Sequence, residues 1–139
     1  MTLDEIREYF RTDKYMSLTG IEIDEVGDYS CVCSLKIKPE EHYNAGGTVQ
    51  GGVIFTFADS ALGVACNSNF LINGEKLITL NLSSSITYIK AGTTGTIYAH
   101  AQRISSGRKN STYKIDVTEE DGTLLATMTA NGYTVPKKN

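Results

Sequence analysis

A long apolar segment in the middle of the chain is the feature that most limits its fold. From Gly51 to roughly Asn69 the side chains are nearly all apolar or small, and the segment begins with GGVIFTFADSALGVAC. Its length and composition predict one helix that is hydrophobic on nearly all sides. Other structure must wrap such a helix, because its apolar surface has to be removed from water.

The chain after this helix has the period-two pattern of β-strands. In residues 76–90, polar residues alternate with Ile78, Leu80, Leu82, Ile86 and Tyr88. The pattern continues through residues 94–104 and 109–118. An Asp121-Gly122 turn then leads into a last strand that ends at Pro136. These segments predict a meander of four strands.

The chain before the apolar helix predicts one short helix and a hairpin. Thr2 and Glu5 form a capping box, and the helix that they open is expected to end before Gly20. Strands beginning at residues 21 and 31 flank a Gly27-Asp28 turn. The whole sequence therefore predicts a single domain over residues 1–139, of class α+β, with an antiparallel β-sheet wrapped around a long central helix.

Composition argues against several classes of partner. The net charge is −3 and the pI is about 5.3, so no broad basic surface is available for nucleic acid or for an anionic membrane. The first ten residues do not resemble a signal peptide, and no apolar run reaches the roughly 18 residues of a membrane span. We expect a cytoplasmic protein.

The cysteines and histidines do not predict a cofactor or metal site. Cys31, Cys33 and Cys66 lack zinc-site spacing, and only His42 and His100 could join them. We expect the thiols to lie in the core and the histidines to be surface or strand residues. No metal or cofactor is expected.

Asp59 is the only formally charged residue between Glu41 and Glu75. A carboxylate inside an apolar helix needs hydrogen-bonding partners or a chemical role, because burying it alone is unfavourable. We expect Asp59 to be buried, which would make it a stronger base. The alternative is a structural carboxylate bonded to backbone or hydroxyl groups.

The residues from Asn44 to Asp59, NAGGTVQGGVIFTFAD, resemble the signature of the hotdog-fold acyl-CoA thioesterases. The similarity is to their phenylacetate-pathway, or PaaI-like, branch and covers roughly residues 17–135. Asn44, Gly51, Gly52 and Asp59 match the family pattern in identity and spacing. The resemblance implies a hotdog fold and an acyl-CoA substrate.

Two residues depart from that pattern. Gln50 stands where most of the family has His, and Asn81 lies near the position of a Ser or Thr on the strand after the helix. A shift of two residues would make Thr79 or Ser83 the equivalent, since all three are expected on one face. Gly52, Asn81 and Ser83 are predicted to bind substrate.

Thioester hydrolysis gives each matching residue a role. The Gly51 backbone N–H, at a helix N-terminus, can stabilise an oxyanion. Asp59 can act as a general base on water or attack the carbonyl carbon directly. Gln50 is expected to orient the thioester or the water beside Asn44, and a thiol with a pKa near ~8.5 can leave without a proton donor.

The spacing of Gly51 and Asp59 predicts a site built from two chains. Eight residues along one helix span roughly 12 Å, too far for both to reach one carbonyl group. Two antiparallel helices from two chains would bring Gly51 of one close to Asp59 of the other. The resemblance implies the same homodimer and often a homotetramer.

Other residues are candidates for holding the substrate. Lys90, Arg103, Arg108 and Lys109 lie at or near predicted strand ends and could meet the phosphates of coenzyme A, Lys90 and Arg108 above all. Phe55, Phe57 and Leu62 could line an acyl pocket or the core.

Two other functions are alternatives. A hotdog domain can bind acyl-CoA without catalysis, although retention of Asp59 argues against this. A hydratase or dehydratase on the same fold would need a histidine with a carboxylate, and the sequence suggests no suitable histidine near the Asn44–Gln50 loop.

Overall fold

The computed structural model describes residues 1–92 and 95–138. In these two ranges, four helices and six strands follow one another. They are α1 (Leu3–Phe10), α2 (Lys14–Thr19), β1 (Glu22–Gly27), β2 (Ser30–Lys36), α3 (Pro39–His42), α4 (Gly51–Asn73), β3 (Leu77–Tyr88), β4 (Thr96–Ser106), β5 (Asn110–Thr118) and β6 (Leu124–Pro136).

The N-terminal segment forms two short helices where the sequence predicted one. The Thr2–Glu5 capping box is present and opens α1. The chain then leaves the helix, and the Asp13 side chain accepts a hydrogen bond from the Met16 backbone N–H to cap α2. Gly20 ends α2 in the left-handed conformation, which glycine adopts without strain.

The six strands form one sheet in the order β1-β2-β4-β5-β6-β3, and every neighbouring pair is antiparallel. The predicted meander is confirmed for β4, β5 and β6. β3 pairs with β6 and leaves its other edge without a strand among the described residues.

Helix α4 lies on the concave face of this sheet and forms the core with it. Phe57, Ala58, Ala61 and Ala65 are fully buried on the helix. Below it the sheet presents small alanines at positions 99, 101, 126 and 130, which let the helix approach closely. This arrangement is the hotdog fold, as the sequence predicted. The helix continues four residues beyond Asn69, to Asn73, and ends at a left-handed Gly74.

A β-bulge changes the faces of β3. Regular pairing with β6 is interrupted between Asn81 and Ser83, so Leu82 is an extra residue. Before the bulge the polar Thr79 and Asn81 face the helix side, and Leu80 is 48 % exposed. After it, Ile86 packs against the core. The prediction that Asn81 and Ser83 share one face is therefore wrong, because an inserted residue reverses the alternation.

The cysteines are core thiols, as predicted. Cys31, Cys33 and Cys66 are all buried and free. Among the described residues, no helix has both the length and the apolar character to cross a membrane.

Candidate active site

The Asn44 side chain organises the loop that leads into α4. Its Oδ1 accepts hydrogen bonds from the backbone N–H groups of Gly46 at 2.9 Å and Thr48 at 3.2 Å. Its Nδ2 donates to the Thr48 Oγ1 at 3.1 Å. Asn44 therefore fixes this loop locally, as Asx turns do.

Gln50 stands at the N-cap of α4. Its backbone N–H donates to the carbonyl of His42 at 2.9 Å, while its side chain makes no capping bond. Among residues 1–92 and 95–138, the N–H groups of Gly51 and Gly52 make no hydrogen bond to a backbone acceptor or to a capping side chain. The positive end of a long helix thus presents open donors.

Gly51 is held closely against the end of β3. The Tyr88 hydroxyl donates to the Gly51 carbonyl at 2.9 Å. A Cβ atom at residue 51 would lie 3.1 Å from the Tyr88 ring, which is tighter than ordinary packing. The first turn of α4 therefore suits glycine at this position.

Asp59 lies two turns further along α4, and its position corrects one prediction. The side chain is exposed on the protomer, so the expectation of a buried carboxylate is wrong for a single chain. The helix is not apolar on all sides: Gly52 and Asp59 lie on a stripe that the sheet does not cover. The sequence could not show this stripe, because partial exposure of a side chain depends on the fold. Phe55 and Thr56, which lie beside the stripe, are only partly buried.

Asn81 is the β3 residue beside Asp59. Its Nδ2 donates to the Asp59 Oδ1 at 3.3 Å and to the Ser84 Oγ at 2.6 Å. Ser83 lies on the other face, where its hydroxyl accepts from Asn131 at 3.1 Å. Thr79 is buried and bonds to Asn67 and Thr134. Asn81 is thus the one of the three candidates that contacts Asp59.

Asp59 opens into a cleft of about 510 Å³, here called the Asp59 cleft. Its lining combines polar residues, among them Asp59, Asn81 and Asp13, with apolar side chains. These are mainly Phe10, Tyr15, Met16, Phe55, Leu62, Cys66 and Leu80. Phe55 and Leu62 therefore line the cleft, whereas Phe57 is fully buried in the core.

A second cleft, of about 460 Å³, lies at the start of α4 and is here called the Gln50 cleft. Gln50, Gly52 and His42 line it, and it shares Tyr15 and Thr56 with the Asp59 cleft. The two clefts are therefore neighbours on one side of the helix. Gly51 lines neither cleft. Neither of the two clefts therefore contains both Gly51 and Asp59, the pair that is predicted to act on one carbonyl group.

Sequence reasoning missed two residues here. The buried His42 ends α3, so the expectation of a surface or strand residue is wrong. Tyr15, on α2, is 66 % exposed and borders both clefts. For His42 the available signal was its place two residues before Asn44.

The basic residues predicted to meet phosphates are dispersed. The Lys90 Nζ lies 3.7 Å from the Glu119 Oε1. The Arg103 guanidinium lies over the Tyr29 ring, 3.6 Å from its centroid. Arg108 is exposed in the turn after β4, and Lys109 faces the Tyr133 ring at 6.0 Å. The structure does not bring these four residues together, and none of them lines either cleft.

Cys66 borders the Asp59 cleft but is not suited to be a nucleophile. Burial raises the pKa of its thiol to about 12, and this outweighs the hydrogen bond with Tyr113, which favours the thiolate. The group is a thiol at neutral pH, while thiolates are the reactive form. Within the described ranges, no cluster of three or more His, Cys, Asp or Glu side chains could hold a metal ion.

Comparisons with known proteins agree with this architecture. The model of the thioesterase superfamily matches residues 46–126. The chain is 30 % identical over 135 residues to a curated Archaeoglobus fulgidus protein named "Putative esterase", covering 96 % of this chain and 83 % of that protein.

Two solved structures share the fold. The PaaI protein from the phenylacetic acid degradation operon of E. coli is 22 % identical, with a TM-score of 0.78 over 90 % of this chain and 91 % of that one. A hypothetical thioesterase of Streptococcus pneumoniae, solved with coenzyme A, is 23 % identical, with a TM-score of 0.80 over 95 % and 98 % of the two chains. The family-model match and the curated relative show that the chain belongs to the thioesterase superfamily, and the solved structures show that it has the hotdog fold.

Proposed function

We propose that the protein hydrolyses acyl-CoA thioesters and that Asp59 carries the reaction. The observation that supports this most is the carboxylate itself, exposed in the middle of α4 at a cleft lined by both polar and apolar side chains. A structural carboxylate would be expected to have several partners, whereas the Asp59 side chain accepts one hydrogen bond from the described residues, the long one from Asn81. The coenzyme A bound to the pneumococcal protein of the same fold supports an acyl-CoA substrate.

Two routes use the same groups. In the first, Asp59 takes a proton from water as the water oxygen bonds to the thioester carbon. In the second, an Asp59 oxygen bonds to that carbon directly and water later cleaves the anhydride. In both, the carbonyl electron pair moves to oxygen, the Gly51 N–H stabilises that charge, and collapse breaks the C–S bond to release a thiolate.

The site needs two chains. Gly51 and Asp59 lie on one helix, roughly 12 Å apart at ~1.5 Å per residue, and they border different surfaces of the protomer. The open edge of β3, where Leu80 and the 63 % exposed Leu82 face water, supports pairing with a second copy. A homodimer with two shared sites follows, and a homotetramer could be built from two such dimers.

The remaining candidates have supporting roles in this proposal. Gln50 orients the thioester or the water, Asn44 holds the loop that carries Gln50, and Gly52 keeps the Gln50 cleft open. Asn81 orients Asp59. Ser83 points to the opposite sheet face and loses its proposed substrate role because its hydroxyl bonds to Asn131. Lys90 and Arg108 stay candidates for the coenzyme A phosphates.

Thiol release from a panel of acyl-CoAs tests the proposal. We expect Asp59→Asn to lose at least ~100-fold in kcat/KM, because the variant keeps the shape of the side chain but has no charge or base. Asp121→Asn removes the same charge in the exposed β5–β6 turn and is expected to keep full activity. Circular dichroism checks that both variants fold.

Each other outcome has a different meaning. Equal rates for wild type and Asp59→Asn would make Asp59 structural. Binding of acyl-CoA without thiol release would favour the non-catalytic binding module. Hydration of crotonyl-CoA in place of thiol release would favour the hydratase.

A further inference from the structure

We propose that His42 is a substrate-facing hydrogen-bond donor at the first turn of α4. Its Nε2–H would bind the thioester carbonyl oxygen together with the helix N-terminus. This inference rests on the proposed hydrolysis of acyl-CoA. It assigns a catalytic contact to a residue outside the Asn44–Asp59 motif.

The hydrogen bonding of the ring determines its tautomer. The Lys38 backbone N–H donates to the His42 Nδ1 at 2.9 Å, so Nδ1 supplies a lone pair and carries no proton. The proton of the neutral imidazole is therefore on Nε2. The short helix α3 places Lys38 at its N-cap and His42 at its last residue, which holds the ring in this orientation.

The Nε2–H is left for a ligand. His42 is only 8 % exposed, yet the ring borders the Gln50 cleft. Over the described part of the chain, the His42 ring has one hydrogen bond to protein, at Nδ1. No side-chain nitrogen or oxygen in this part is enclosed without a partner, so Nε2 reaches solvent. A solvent-accessible donor with no protein partner beside a cleft is a group that a ligand can satisfy.

The position of His42 relative to α4 indicates which kind of ligand atom its Nε2–H would contact. The His42 carbonyl accepts from the Gln50 N–H at 2.9 Å, so His42 lies directly beside the N-cap of the helix. Gly52, with an open N–H group, lines the same cleft. The ring and the positive helix end are therefore adjacent, which suits an oxygen that becomes negative during reaction.

The proposed role is donation without proton transfer. As the nucleophile bonds to the carbonyl carbon, the C=O electron pair moves to oxygen and the Nε2–H bond to that oxygen strengthens. The proton stays on Nε2, because its transfer to oxygen would leave the ring as an unfavourable imidazolate anion. The electron pair returns to re-form C=O when the C–S bond breaks and the thiolate leaves.

Two substitutions separate this role from a structural one. Asn can place an acceptor near the position of Nδ1, so His42→Asn keeps the Lys38 bond and loses the donor. Gln reaches further and can place an amide N–H near Nε2, so His42→Gln keeps the donor and loses the Lys38 bond. We expect His42→Asn to fold as stably as wild type with kcat reduced about 10- to 100-fold and KM changed little. We expect His42→Gln to melt at a lower temperature yet to have the higher kcat of the two.

If His42 has only a structural role, the order of activities is reversed, and the more stable His42→Asn variant has the higher kcat. That result would overturn the inference. Unchanged kcat in a folded His42→Asn variant would overturn it as well. In both cases hydrolysis by the wild type would leave the proposed function intact.

A second measurement keeps the two proposals distinguishable. The probe is the ketone analogue of a medium-chain acyl-CoA, in which CH₂ replaces sulfur, and the signal is the ¹⁵N resonance of the His42 Nε2. A shift on binding supports the contact even where the wild type hydrolyses nothing and the proposed function fails. Binding that leaves this resonance unmoved overturns the inference alone, and absence of both binding and hydrolysis overturns both proposals.

Discussion

Cys66 and Tyr113 form a buried pair of titratable side chains beneath the Asp59 cleft. Burial raises the pKa of both groups, that of Cys66 to about 12. Burial also contributes to the rise in the pKa of Cys31, where the hydrogen bond with Cys33 is the largest cause. The core therefore holds protons that the unfolded chain would release at lower pH.

This difference predicts a loss of stability in alkali. The unfolded thiol titrates near 9.0 and the folded one near 12, so the contribution of Cys66 is complete below pH 9 and is lost as the pH rises through this window. The expected slope for one such group is about 1.4 kcal/mol per pH unit. Urea unfolding at a series of pH values measures it. Cys66→Ala should show a shallower decline above pH 9, whereas parallel curves for the two proteins would contradict the assignment.

At the scale of residues, the sequence nominated candidate side chains but not their surroundings. Asn44, Gly51 and Asp59 are predicted site residues because they match the family pattern in identity and spacing. The exposure of Asp59 could not be predicted, because it depends on which stripe of α4 the sheet leaves open. The ring of His42 is oriented by a backbone N–H from Lys38, and sequence patterns do not encode such a contact.

At the scale of elements, the bulge in β3 decides what approaches Asp59. Leu82 is the inserted residue, and it separates Asn81, beside Asp59, from Ser84, which accepts the other Asn81 bond. Hydrophobic periodicity predicted the strand correctly but not its faces. The residues on both sides of Leu82 are polar, so the hydrophobic pattern does not reveal that Leu82 is an inserted residue.

Deletion of Leu82 is expected to be tolerated. The remaining residues can pair regularly with β6, and Asn81 and Ile86 keep their present faces. Deletion of Thr129 from β6 is the matched control, because that strand pairs on both sides and residues 128–130 contain no bulge to absorb the change. We expect the first variant to melt cooperatively and the second to be largely unfolded by circular dichroism. Similar damage from both deletions would show that the bulge itself is required.

At the scale of the whole molecule, a site shared between chains can be tested by mixing two inactive variants. One chain carries Asp59→Asn. The other carries Gly51→Pro, which removes the N–H at the first helical position, where proline is favoured, and the extended Gln50 backbone is compatible with a following proline. The close Tyr88 ring lies at an exposed strand end and can move aside.

A mixed dimer would then contain one intact site, with Gly51 from one chain and Asp59 from the other. After the two variants are unfolded and refolded together, we expect about a quarter of wild-type activity, because half of the dimers are mixed and each has one of two sites. Each variant refolded alone should be inactive. Inactivity of the mixture, with both chains folded, would place the site within a single chain.

The open edge of β3 also has a consequence for how the protein is made. The protomer exposes Leu80 and Leu82 along a strand that has no strand neighbour on one side among the described residues. Such an edge attracts any other unpaired strand, including those of incompletely folded copies. Recovery of native protein on refolding should therefore fall at high chain concentration, where aggregation competes with folding. A charged residue placed at position 82 should change this yield more than it changes the melting temperature.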